Sequence, residues 1–74
     1  MKEEIKQIIA EILEISVNEL NDESSSQNTN NWDSLNHMNI IFAIEEKLDV
    51  AFDDEEIMHL TSVAKILNSI ESKK

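Results

Sequence analysis

Apolar residues return every three or four positions through the first stretch of the chain. Ile5, Ile8, Ile9, Ile12 and Leu13 fall on one side of a helical wheel, with Glu3, Lys6, Glu11 and Glu14 between them. This spacing predicts an amphipathic helix over residues 3–15, with Glu3 and Glu4 in its first turn where negative charge complements the helix dipole. The pattern then stops. Over residues 16–33 only Val17, Leu20 and Trp32 are apolar, and no period emerges. This stretch is a long connection in which Ser, Asn and Asp make the turns, and connections of this length tend to carry function.

Periodicity resumes after Asp33, a good N-cap. Leu35, Met38, Ile41, Phe42, Ile44 and Leu48 supply the apolar positions of a second helix over 34–48. They spread over more than half its circumference, which predicts a central helix packed against two others. Asn36, Asn39, Ala43, Glu46 and Lys47 share the remaining, solvent face. Val50-Ala51-Phe52 reads as an extended connector. Asp53 and Glu56 then have the spacing of a capping box for a brief third helix holding Ile57, Met58 and Leu60. Thr61 or Ser62 caps a final helix with Val63, Ile66, Leu67 and Ile70 at i, i+3, i+4, i+7, and Lys73 and Lys74 lie at its dipole-negative end. The pattern is that of an all-α, small four-helix bundle with a long first loop, one domain spanning residues 1–74.

Composition narrows what such a bundle can do. The 74 residues hold 16 Asp and Glu against 6 Lys, a net charge of −10. Affinity for phosphate backbones comes from clustered cations, so nucleic acid is excluded as a partner, and basic proteins are favoured. There is no Cys, hence no disulfide, thiolate nucleophile or Cys-ligated zinc. There is no Gly, hence no Gly-rich phosphate loop, and no Pro. Hydrophobic residues make up 41%, eleven of them Ile, too apolar for a disordered acidic tail. The longest apolar run, Ile40 to Ile44, is far below the ~18 residues of a membrane span. A signal peptide does not fit the periodic N-terminus either. A cytoplasmic monomer is the expectation.

The chemistry-bearing position is the junction Trp32-Asp33-Ser34-Leu35. Ser34 falls at the first helical position, its hydroxyl beside the free amides of a helix N-terminus, where an attached anion is stabilised. A serine nucleophile would need a base, an orienting group and an oxyanion hole. Only His37, one turn on, is near, so Ser34 reads as a residue that is modified, and the protein as no enzyme.

Asp33-Ser34-Leu35 opens a helix that runs into Ile44-Glu45-Glu46-Lys47-Leu48-Asp49-Val50. Phe52, the acidic Asp53-Asp54-Glu55-Glu56 segment and Leu60-Thr61-Ser62-Val63 follow. This succession resembles the acyl carrier proteins over essentially the whole chain. The resemblance implies a four-helix bundle with Ser34 as the attachment site of 4′-phosphopantetheine, added from coenzyme A by a phosphopantetheinyl transferase. The terminal thiol would hold an acyl group as a thioester for loading and transfer enzymes, acyl or aminoacyl, with basic docking patches. Asp33, Leu35, Asn36, Met38, Asn39, Glu45 and Glu46 would form the partner-recognition surface.

Three positions depart from the family pattern. Asn31 stands where a Gly usually precedes the motif, and Asn is the next most tolerant residue of left-handed backbone. Asn36 and Asn39 replace residues commonly acidic in fatty-acid carriers. Trp32 is bulkier than usual. These departures point to a specialised carrier outside housekeeping fatty-acid synthesis, with the acidity moved to Glu45–Glu56.

Plainer roles are assigned to the other candidates. Trp32 packs the long loop over the core. Met38 and Phe42 are core residues, with the further reading that Met38 and Ile41 open to shelter an acyl chain. His37 edges the surface near Ser34, and His59 caps or shields the third helix. No metal site is expected from these histidines, and Asp53–Glu56 lacks the spacing of a calcium loop. The competing class is an acidic helical module that binds a basic partner with no prosthetic group.

Overall fold

The computed structural model describes residues 2–73. Four helices follow one another: α1 (Lys2–Leu13), α2 (Ser34–Leu48), α3 (Asp54–His59) and α4 (Val63–Lys73). Among the described residues, none of these helices is long and apolar enough to cross a membrane. The all-α bundle read from the apolar spacing is the fold observed. Ile5, Ile9 and Leu13 of α1, Ile40, Ile41 and Ile44 of α2, and Val63, Ile66 and Ile70 of α4 form the centre of the core.

α2 buries a narrower stripe than its apolar pattern promised. Leu35 is 72% exposed and Phe42 55%, while Met38 and Leu48 are half-buried. At 3.6 residues per turn, the inward line runs through positions 37, 40, 41, 44 and 48, so Phe42 and Leu35 project nearly opposite. Met58, one of the apolar residues of α3, is 75% exposed. The helix that approaches two others closely is α1, which packs against both α2 and α4. α2 in turn packs against α1 and meets α3 where His37 Nε2 lies 2.8 Å from the Ile57 carbonyl.

The helix ends show how a chain without glycine turns. α1 stops at Leu13 because Glu14 adopts the left-handed conformation (φ 58°). The Ile15 amide then donates to the Ala10 carbonyl at 3.0 Å, and that of Glu14 to Glu11 at 3.3 Å. These are the two bonds of a Schellman cap. α2 ends the same way, with Asp49 at φ 55° and the Val50 amide donating to Glu45 at 3.2 Å. The residues that follow, 50–52, belong to no helix or strand, and the Phe52 amide is tied back to Glu45 Oε2 at 2.9 Å.

The long connection is ordered by side chains. Ser16 and Glu19 form a capping box around one turn of 3-10 helix, Val17–Glu19, which the apolar pattern does not reveal. Asn21 and Asn28 accept from the amides of Glu23 and Ser25, the turn chemistry of short polar side chains. Lys2 and Lys6 of α1 reach Asp22 at 2.8 and 3.6 Å. At the other end, the Ser26 amide donates to the Thr61 carbonyl (2.9 Å), and that of Val63 to Ser24 (3.0 Å). The loop is thereby pinned to the start of α4, where Ser62 Oγ accepts from the Lys65 amide and is the cap.

α3 is short and held from both ends. The capping box of Asp53 and Glu56 opens it, with the Asp53 amide donating to Glu56 Oε1 at 3.0 Å. The same carboxylate accepts from Ser69 Oγ (2.8 Å) and Lys73 Nζ (2.9 Å) of α4. Lys73 also lies 5.3 Å from the centre of the Phe52 ring. Lys74, expected at this end of α4, lies outside the described residues.

Two consequences are measurable. The Asp53 amide, and then Lys73 and Ser69, hold the Glu56 carboxyl well below its usual 4.5, at about 2. A depressed carboxyl contributes stability above its unfolded value and loses it as pH falls towards the folded one. Replacing Glu56→Gln should lower Tm at neutral pH and flatten the acid loss between about pH 4.5 and 2, read by circular dichroism across that window. Separately, Glu14→Gly removes the left-handed penalty at the α1 cap. It should stabilise the fold by about 0.5–1 kcal/mol, the penalty less the extra chain entropy of Gly, and calorimetry would show Tm rising by a few degrees.

Candidate functional site

The site is built where the long connection enters α2. Asp33 is the N-cap, its Oδ1 accepting from the Asn36 amide at 2.9 Å and its carbonyl from the His37 amide at 2.8 Å. Ser34 is the first residue of the helix and is exposed. Among the described residues, the amides of Ser34 and Leu35 have no acceptor, as the first amides of a helix do not unless a cap or ligand supplies one. The first turns of α1 and α3 carry Glu3 and Glu4, and Asp54, Glu55 and Glu56, but the first turn of α2 holds no acidic residue. The one carboxylate at its positive dipole end is that of the N-cap Asp33, beside the Ser34 hydroxyl.

Asn31 sets the approach to this turn. It takes the left-handed conformation (φ 69°), as its place before the motif required. Its side chain does a second task, donating to the Leu13 carbonyl at the end of α1 at 2.9 Å. Its own carbonyl accepts from Asn36 Nδ2 at 2.8 Å. Asn36 is therefore half-buried and braces the loop from within α2. A carboxylate at this position could not donate that bond.

Trp32 closes the loop over the core, 4% exposed. Its indole nitrogen lies 3.1 Å from His37 Nδ1, and His37 Nε2 lies 2.8 Å from the Ile57 carbonyl. The indole N–H is a donor only and a carbonyl an acceptor only. His37 must therefore be neutral with its proton on Nε2, accepting at one nitrogen and donating at the other. Both ring nitrogens are committed, so His37 is no base for Ser34. It is half-buried and lines the groove that begins at Ser34, as its place indicated, but its ring is tied to Trp32 and the Ile57 carbonyl. Its position in line with Ile40, Ile41, Ile44 and Leu48 was the available signal.

A groove of about 550 Å³ starts at Ser34 and is lined by Asp33, Met38, Met58, Thr61 and Ser26, with Trp32, His37 and Ile57 beneath. Of the expected recognition residues, Asp33 and Met38 meet Ser34 here, with Leu35 exposed alongside. Asn39 is exposed one turn further on. Glu45 is occupied with the Phe52 amide. Glu46 lines a separate groove between α1 and α2, with Ile8, Ile12 and Lys47. The pattern of apolar residues gave no hint that Met58, Thr61 and Ser26 would reach the site. Among the described residues, no group of three or more His, Asp or Glu is placed to hold a metal.

Ser34 is thus exposed at the start of α2, at the mouth of the groove, with His37 committed to Trp32 and Ile57. Comparison with known proteins gives the family. The family model of the phosphopantetheine attachment site matches residues 3–70. The acyl carrier protein of Clostridium acetobutylicum is 37% identical over 70 residues, 95% of this chain and 91% of that protein. That of Buchnera aphidicola subsp. Schizaphis graminum is 34% identical over 73 residues (99% and 92%), and that of Wolinella succinogenes 29% over 72 (97% and 95%). The chain belongs to the acyl carrier protein family, whose members carry 4′-phosphopantetheine covalently on a serine and are carriers, not enzymes. Proteins of this family work with phosphopantetheinyl transferases and acyl-handling enzymes.

Asn31 offers a direct test of the turn before Ser34. Asn31→Ala loses both the tolerance of positive φ and the bond to Leu13, and should cost about 2 kcal/mol. Asn31→Gly loses only the bond and should cost less than half as much, as urea denaturation would show.

Proposed function

We propose that Ser34 bears the 4′-phosphopantetheine arm and that this chain carries acyl groups as thioesters on it, as a specialised carrier and not the housekeeping fatty-acid one. The observation that carries the assignment is the exposed Ser34 hydroxyl at the acid-free first turn of α2. A phosphodiester there meets the free amides of Ser34 and Leu35 and the positive end of the helix. The Asp33 carboxylate beside it is engaged with the Asn36 amide, which offsets part of its repulsion. The arm, once attached, supplies a thiol that holds cargo. The protein's own residues orient the attachment point and leave it open.

Partners dock around this point. The exposed Leu35 and Asn39 and the half-buried Met38 offer an apolar and neutral contact next to Ser34. The net charge of −10 steers basic partner surfaces from a distance. Asn39, exposed and uncharged at a position commonly acidic in fatty-acid carriers, supports the specialised role. Asn36 supports it less, because its amide already serves the loop.

Incubation with coenzyme A and a broad-specificity phosphopantetheinyl transferase should add one phosphopantetheine to the intact mass. Ser34→Ala should abolish the gain while changing stability by less than about 0.5 kcal/mol, since Asp33 still caps the helix. An unmodified wild-type mass would reject the carrier reading and leave the acidic interaction module.

A further inference from the structure

The groove beside Ser34 has walls and a floor of different kinds. Met58 stands exposed at its rim and Met38 half-buried at its side, while Ser26 and Thr61 bring hydroxyls. The floor is Trp32, His37 and Ile57, and it is hydrogen-bonded across three elements. Trp32 belongs to the long loop, His37 to α2 and the Ile57 carbonyl to α3. The two rings lie nearly parallel, 25° apart with centres 6.3 Å from one another. The loop on the opposite side is pinned as well, by the bond between the Ser26 amide and the Thr61 carbonyl.

We propose that Trp32 and His37 determine the cargo range of this carrier. Bonded to each other and to Ile57, they close the floor of the groove, so that cargo lies along the surface and does not pass between α2 and α3 into the isoleucine core. This selects short or polar acyl groups over long alkyl chains. The inference rests on Ser34 being the attachment point.

The physical reason is the cost of opening. For a chain to enter, Trp32 must leave His37, and a donor-only indole N–H loses its acceptor among apolar side chains. His37 would separate from the Ile57 carbonyl in the same movement. Behind the floor, Ile40, Ile41, Ile44, Ile66 and Ile70 have no exposed surface, and a core packed to that density resists added methylenes. A short or polar group gains little from entering and loses nothing by staying in the open groove. The proposal stands in place of the reading in which Met38 and Ile41 part to shelter an acyl chain: Met38 lines the groove, and Ile41 is fully buried.

The test uses the ¹⁵N-labelled full chain, loaded through Ser34 with phosphopantetheine alone or bearing butyryl or palmitoyl, and checked by intact mass. The Trp32 indole signal and the Ile41, Ile44 and Ile66 amides should coincide in all three forms. Shifts should be confined to Ser34, Met38, Met58 and Thr61, and hydroxylamine should cleave both thioesters at the same rate. In His37→Ala, palmitoyl should move the three isoleucine amides and slow cleavage roughly tenfold, the factor that about 1.4 kcal/mol produces. Trp32→Phe keeps the ring but not the donor, and should act in the same direction if His37→Ala does not fold. Palmitoyl shifts at those isoleucines in the wild type would overturn the proposal, as would variants indistinguishable from it. A chain that takes up no arm fails at the mass measurement, before any cargo is attached. That outcome rejects the Ser34 assignment itself, and the cargo proposal with it.

Discussion

The indole N–H of Trp32 is the constraint on which the rest of the site depends. A side chain of this size must be buried to close a long connection over a small core, and its polar atom then needs an acceptor. His37 supplies it at 3.1 Å and passes the demand on to the Ile57 carbonyl at 2.8 Å. That chain of two bonds sets the tautomer of His37, the height of the loop above α2 and the position of α3 against the groove. It also removes the one nearby base from Ser34. A residue whose place made it a candidate acid or base is a strut.

The absence of glycine is met in a consistent way. The described residues with positive φ are Glu14, Asn31 and Asp49, and each sits where a glycine would ordinarily serve. Two of them end helices through the backbone alone. Asn31 adds a side-chain bond to the Leu13 carbonyl, which couples the end of α1 to the turn that presents Ser34. The strain of a left-handed residue close to Ser34 is balanced by a contact that glycine could not make.

The acidic excess is not simply a docking surface. Glu19, Glu45, Glu56, Asp22 and Asp33 each accept a hydrogen bond from the chain itself, as caps, as a tie to the connector after α2, or as a partner for Lys2 and Lys73. Partner steering falls to the charges not engaged in this way and to the summed field. The first turns of α1 and α3 carry carboxylates and those of α2 and α4 do not; at the start of α2 the carboxylate is that of the N-cap Asp33.

Much of this was legible in the chain itself. Apolar spacing defined four helices because a 3.6-residue period is a local property of the sequence. Asp33, Asp53 and Glu56 were readable as caps because capping partners lie three residues apart. The place of Ser34 at the start of α2 was readable from Asp33 before it. Tertiary structure alone decided which apolar residues went inside. Leu35, Phe42 and Met58 match the buried residues in type, and only the orientation of each helix against its neighbours leaves them in solvent. It also decided the groove. Ser26, Trp32, His37, Ile57 and Thr61 are scattered over 36 positions of the chain, and nothing in their local spacing brings them together. They meet because a buried indole, a histidine facing inward and a carbonyl at the end of a short helix each had a hydrogen bond to satisfy.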